Sequence, residues 1–154
     1  MGMNLRSSSF KHGERIPERY SCDGGDLSPP LSWADPPTDT HSFAIFCDDS
    51  DAPTGNFHHW AMYDIPKTTR EVPEGFASNV TRSLIVQGKN DFGKMGYGGA
   101  CPPKGHGTHH YHFKVMALDC GHLDTQGKNN ADDIETIARA HCLAEAELVG
   151  MYSR

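Results

Sequence analysis

The sequence predicts a mainly β fold with long loops and one or two short helices. Most apolar residues fall in runs too short for helices, rich in aromatic and β-branched side chains and fenced by Gly, Pro, Asp and Asn. Only one segment combines a helical period with a capping residue. The 154 residues contain no internal repeat, low-complexity tract or Gly/Ser-rich linker, so one domain, residues 1–154, is expected around one core.

Leu31-Ser32-Trp33 is the first strand candidate. It is caught between Pro29-Pro30 and Pro36-Pro37, which suits a sheet edge or a strand start. Ser42–Cys47, His59–Ile65, Ser83–Gly88 and Tyr111–Asp119 follow, each dense in residues that favour a pleated surface. A helix is expected from about Ala131 to about His141. Asn130 can cap it, Asp132 and Asp133 suit the positive end of its dipole, and Ile134, Ile137 and Ala138 share one face. Ala144–Leu148 could prolong the helix, yet small and charged residues alternate there with a period of two, and Leu148–Tyr152 favours β. A last strand is therefore expected.

Fourteen basic against 20 acidic residues give a formal net charge of −6. That balance argues against nucleic acid and against an anionic membrane surface as partners. No apolar run approaches the ~20 residues needed to span a bilayer. The start, Met1–Arg6, lacks the apolar stretch of a secretory signal, and Arg6 stands where a myristoylation motif needs Ser or Thr. The five cysteines, Cys22, Cys47, Cys101, Cys120 and Cys142, are odd in number and contain no CxxC pair. Neither a complete disulfide framework nor a local zinc knuckle is indicated, and the cytoplasm is the expected compartment.

Two loops concentrate the chemistry. Gly96–Tyr111 packs glycines, Pro102-Pro103 and three histidines, His106, His109 and His110, ahead of a strand. Glycine lets backbone N–H groups approach a ligand, while the prolines stiffen the loop without donating. Cys47-Asp48-Asp49-Ser50-Asp51-Ala52-Pro53 ends one strand in carboxylates, and Phe57-His58-His59-Trp60 begins the next in imidazoles. If those strands are neighbours, Asp49 or Asp51 can approach His59 and hold it protonated, a good partner for phosphate.

Asp49–Pro53, His58-His59-Trp60, and Gly96-Tyr97 through Pro102-Pro103 to His109-His110-Tyr111, together with Ser28-Pro29-Pro30-Leu31-Ser32-Trp33, resemble the phosphatidylethanolamine-binding protein family nearly end to end. The short loops and the ending Leu148–Tyr152 are similar to its bacterial and archaeal branch, often labelled Raf-kinase-inhibitor-like. The resemblance implies an antiparallel Greek-key β-sandwich with a small pocket for phosphate-like anions, no catalytic chemistry and no cofactor. It implies ligand-binding roles for Asp49, Asp51, His59, the Gly99-Ala100-Cys101 loop and His109, with Tyr111 nearby. The chain departs from the family pattern at Ser50 and at Ala100, where bacterial relatives usually carry proline. The expected partner is phosphate or a phosphorylated head group such as phosphoethanolamine, with imidazoles and loop N–H groups on the phosphate and a carboxylate orienting His59 or meeting a cation. Such binding should weaken as pH rises through the histidine pKa, near ~6.5. No exposed apolar run lines a groove for acyl chains, so soluble phospho-compounds fit better than whole lipid and no stable membrane insertion is expected.

The family also implies two further expectations, a homodimer and a regulator of a kinase or serine protease. A metal-dependent hydrolase using Asp49, Asp51, His59 and His109 ranks below both, although those residue types suit zinc. His58, His110 and His112 are read as structural or surface groups, since neighbours in a strand face opposite ways. Cys101 beside imidazoles has the makings of a nucleophile, but is read as a small packed residue.

Overall fold

The computed structural model describes residues 2–76 and 85–154. In chain order the strands are β1 (Asn4–Arg6), β2 (Leu31–Ala34), β3 (Ser42–Ala52), β4 (Gly55–Pro66), β5 (Glu71–Val72), β6 (Val86–Gln87), β7 (His109–Leu118) and β8 (Cys142–Tyr152); helix α1 (Ala131–Arg139) precedes β8, and Glu18–Tyr20 forms a 3-10 turn. Ser83 and Leu84 of the predicted third long strand lie outside the described residues. Sequence reading missed β1 and β5. At two or three residues, neither is long enough to display a period.

The strands form two sheets, β1-β2-β5 and β6-β4-β3-β7-β8, with every pair antiparallel. β3, β4 and β6 lie side by side in chain order, and β7 returns to the far side of β3, which is the Greek-key arrangement. The small sheet covers one face of the large one, where Leu5, Leu31, Trp33 and Val72 pack with Phe43, Ile45, Phe113 and Val115. Helix α1 covers the other, laying Ala131, Ile134 and Ala138 over Ala44, Phe46, Ala61 and Met116. Being covered on both faces explains why Phe43–Cys47 is an unbroken apolar run.

Asn130 caps α1 as expected, its side-chain oxygen accepting the Asp133 N–H at 2.9 Å. The helix stops at Arg139, slightly short of the expected end, because the chain must turn at Ala140-His141 to enter β8. In β8 the period of two wins over helical propensity. Ala146 and Leu148 pair with Val115 and Phe113 and are buried, while Glu145 and Glu147 between them are exposed.

Two bulges interrupt β4. Its pairing with β3 skips between Phe43–Ile65 and Ile45–Met62, and again between Cys47–Trp60 and Asp48–His58. Asp64, at a φ of 59°, accommodates the first. At the second His59 is the extra residue. His59 and Trp60 therefore both face the small-sheet side, whereas His58 faces α1.

Candidate functional site

The ends of β3, β4 and β7 meet where Asp49 pairs with Phe57 on one side and Tyr111 on the other. A cavity of about 200 Å³ opens there, walled by Asp49, Phe57, His59, Phe92, His109 and Tyr111, with Pro53 and Cys101-Pro102-Pro103 at its rim. The polar groups are almost wholly buried: His109 is 1% exposed, and His59 and Asp49 are each 3% exposed.

Each buried imidazole is anchored through its Nδ1. His59 Nδ1 lies 2.7 Å from the Gly98 carbonyl oxygen, which can only accept, so Nδ1 carries the proton and Nε2 keeps a lone pair. His109 Nδ1 donates to Asp49 Oδ2 at 2.6 Å, and its Nε2 meets His106 Nδ1 at 2.6 Å. Asp49 Oδ1 in turn accepts the Asp51 backbone N–H at 2.8 Å. The His59 ring sits edge-on to Tyr111 and Phe92, at centroid distances of 5.2 and 5.3 Å.

These surroundings set the protonation. Burial pushes the His59 pKa below its ordinary value, and the Gly98 carbonyl and the Asp49 charge oppose this without reversing it. Burial thus favours a neutral His59 over the protonated ring expected beside Asp49, and the Asp49 side chain bonds His109 instead. Burial, followed by the Asp49 charge, also raises the Tyr111 hydroxyl pKa and keeps it protonated.

Of the site residues expected from sequence, Asp49, His59, Cys101, His109 and Tyr111 line one cavity. Asp51 does not reach it. Its carboxylate turns outward to His110, whose ring Nδ1 and backbone N–H lie 2.7 and 2.8 Å from Oδ2, and that ring bond holds the Asp51 pKa below its usual value. Gly99 and Ala100 stand behind the wall. The Gly99 N–H donates to Asp26 Oδ1 at 2.8 Å, and Ala100, 2% exposed, accepts from the Cys22 N–H at 3.0 Å. A Cβ on Gly99 would come within 2.4 Å of both Asp26 Oδ1 and the Tyr20 carbonyl, so only glycine lets this loop approach so closely. The expected phosphate donor at Gly99 is thereby committed to the fold.

Cys101 is bonded to Cys22 across 79 residues of sequence, with a Cα–Cα distance of 5.4 Å. One bond beside three free cysteines is not a complete disulfide framework, but it corrects the reading of Cys101 as a small packed thiol. A cystine sulfur is no nucleophile. The pairing has no local sequence signature, since the fold brings the two loops together through the Gly99–Ala100 contacts described above. Cys47, Cys120 and Cys142 are free. Phe57 and Phe92 are cavity residues that sequence reading missed. Phe57 alternates correctly with His59 in the strand period, but no pattern marked Phe92.

His58 and His112 lie off the cavity, as expected. His58 faces Asp132 at 3.5 Å, and His112 bonds Ser50 at 2.9 Å and faces Glu147 at 3.3 Å. Among the described residues, the groups whose potential metal-ligating atoms converge within 4.8 Å are Asp119–Cys120–His141 and Asp48–His58–Glu135. The set Asp49, Asp51, His59 and His109 is not one of them. No helix among the described residues is long and apolar enough to cross a membrane.

A family model described as phosphatidylethanolamine-binding protein matches residues 6–153. A UPF0098 protein of Aquifex aeolicus is 49% identical over 152 residues, covering 99% of this chain and 89% of the relative. UPF0098 protein YbhB of Escherichia coli is 38% identical, covering 98% of this chain and 100% of the relative. The crystal structure of E. coli YbcL, described as a new member of the mammalian PEBP family, superposes with a TM-score of 0.93 at 34% identity, covering 100% of this chain and 99% of that one. A carboxypeptidase Y inhibitor, solved with its cognate proteinase, shares the fold at a TM-score of 0.59 and 19% identity, covering 98% of this chain and 82% of that one.

Proposed function

The chain belongs to the phosphatidylethanolamine-binding protein family, and on that premise we propose that it is a non-enzymatic binding protein whose cavity takes phosphate or a small phosphorylated head group such as phosphoethanolamine. The observation that carries this reading is the pair of buried imidazoles, His59 and His109, each fixed through Nδ1 and lining one small cavity.

The protonation state makes the mechanism specific. A neutral His59 with a free Nε2 lone pair accepts a proton from an acidic ligand, either directly from a P–OH group or as the imidazole charges on ligand entry. An anion beside the ring favours the imidazolium, so binding takes up a proton and affinity falls as pH rises. Asp49 acts through His109: its carboxylate is saturated by the His109 ring and the Asp51 N–H, and it holds that ring in place. The rim and walls from Phe57, Phe92 and Pro102-Pro103 exclude water from a ligand of this size.

Calorimetric titration of phosphate and of phosphoethanolamine into the wild type, His59→Ala and His109→Ala proteins tests the proposal. The test is run at mildly acidic and mildly alkaline pH, in buffers of different ionisation enthalpy. Saturable binding with proton uptake, lost in both variants, is expected. Binding that is flat in pH, or that survives both substitutions, overturns the imidazole role. Absence of binding to the folded wild type would favour instead a regulator that acts on a kinase or protease partner.

A further inference from the structure

The α1 side of the large sheet holds a second polar cluster, separate from the ligand cavity. Asp48 pairs with His58 across β3 and β4, and α1 lays Glu135 and Asp132 beside them. One ligand atom each from Asp48, His58 and Glu135 lie within 4.8 Å of one another. Asp48 is 5% exposed and His58 9%, yet the cluster borders a polar cleft of about 560 Å³ that also reaches Asn56, Asp132 and Arg139. An entry path is therefore open.

The local cations and donors leave this cluster incomplete. Lys114 Nζ lies 2.7 Å from Glu135 Oε2 and 3.5 Å from Asp48 Oδ1. Arg139 bonds the same Glu135 oxygen at 3.2 Å, and Asn56 donates to Asp48 Oδ2. The hydrogen bonds fall on Asp48 Oδ2 and Glu135 Oε2, and Lys114 approaches Asp48 Oδ1 only at ion-pair distance. Asp48 Oδ1 and Glu135 Oε1 are buried without a hydrogen-bond partner among the described residues. Buried carboxylate oxygens with no donor are costly, and a cation relieves them most directly.

We propose that Asp48, His58 and Glu135 bind one divalent first-row metal ion, with Zn²⁺ suited to two carboxylate oxygens and an imidazole, and that the ion fastens α1 to the β3–β4 pair. Asp132 Oδ1, 3.5 Å from His58 Nε2, supplies a further carboxylate at the open side of the cluster. The nearby Lys114 ammonium weakens the site relative to one without a resident cation, but does not occupy Glu135 Oε1.

The test uses the full chain after chelator treatment, titrated with Zn²⁺ by calorimetry and with Co²⁺ by visible absorption and paramagnetic NMR. The expected result is one Zn²⁺ per chain at this cluster, affinity falling more than ~tenfold in His58→Gln and in Glu135→Gln, and no change in His141→Gln, which disrupts the other convergent cluster. Should either variant fail to fold, the wild type still decides, because the His58 ring signals should be shifted by the first equivalent of Co²⁺. No saturable binding, loss of binding in His141→Gln, or His58 signals unmoved by Co²⁺ would each overturn the site.

Discussion

The two faces of the β3–β4 pair use the same residue types, and often neighbouring residues, to opposite ends. Asp49 and His59 face a closed cavity in which Asp49 and the imidazole nitrogens Nδ1 are bonded inside the protein. Asp48 and His58, one residue earlier in each strand, face an open cleft where two carboxylate oxygens lack donors and a lysine supplies part of the compensating charge. The Asp49 side is preorganised, whereas the Asp48 side is left with unmet bonding capacity. Burial alone therefore does not decide what a carboxylate or imidazole does; the number of fixed partners does.

The sharpest way to break this contrast is to delete one aspartate at a time in metal-free buffer. Asp49→Ala strands a buried His109 ring and should destabilise by about 3 kcal/mol or more, whereas Asp48→Ala leaves Lys114 with Glu135 and should cost about 1 kcal/mol. Equal values from chemical denaturation would dissolve the distinction. Next in size, Cys22→Ser with Cys101→Ser should cost about 2–4 kcal/mol and loosen only the cavity face. Hydrogen exchange should then rise in Gly99–Pro103 but not in α1, and alkylation of the wild type, denatured without reduction, should label only Cys47, Cys120 and Cys142.

The pH dependence is smaller and has a definite sign. The His59 pKa is lowered by burial, so below about 6.5 the unfolded chain binds a proton that the folded ring resists. The stability contributed by neutral His59 is present above that pH and is lost as pH falls through the lowered folded value. His59→Gln should flatten the fall in Tm between neutral and mildly acidic pH, and an unchanged slope would assign the acid sensitivity elsewhere. Smallest of all, His110→Ala removes an exposed pair with Asp51 and should change stability by less than about 1 kcal/mol. Its phosphate titration should match the wild type.

Much of the fold was legible because its main strands are covered on one or both faces and carry dense apolar runs, and because Asn130 marks the helix start. The family resemblance supplied the sandwich and pointed to Asp49, His59, His109 and Tyr111, which the structure gathers at one cavity. Partner choice was not legible. Nothing in the spacing says that Asp49 bonds His109 rather than His59, that Asp51 turns to His110, or that Asp26 claims the Gly99 N–H; these depend on loop paths and on strand register. The Cys22–Cys101 bond was hidden for the same reason, since it joins loops far apart in the chain.

The two bulges in β4 act on parity. Phe57 and His59, odd positions, look into the cavity; past the His59 bulge the even positions Trp60 and Met62 face that side; past Asp64 the odd position Ile65 faces it again. The shifts compensate like paired insertions in a reading frame. Deleting His59 or Asp64 should restore plain alternation and leave every remaining side chain on its face, whereas flattening both bulges with no residue removed would turn Trp60–Tyr63 inside out. The loss of a single extra residue at either bulge should therefore leave the two faces of the strand intact, a tolerance that arises from alternation itself and not from any contact made by the residue lost.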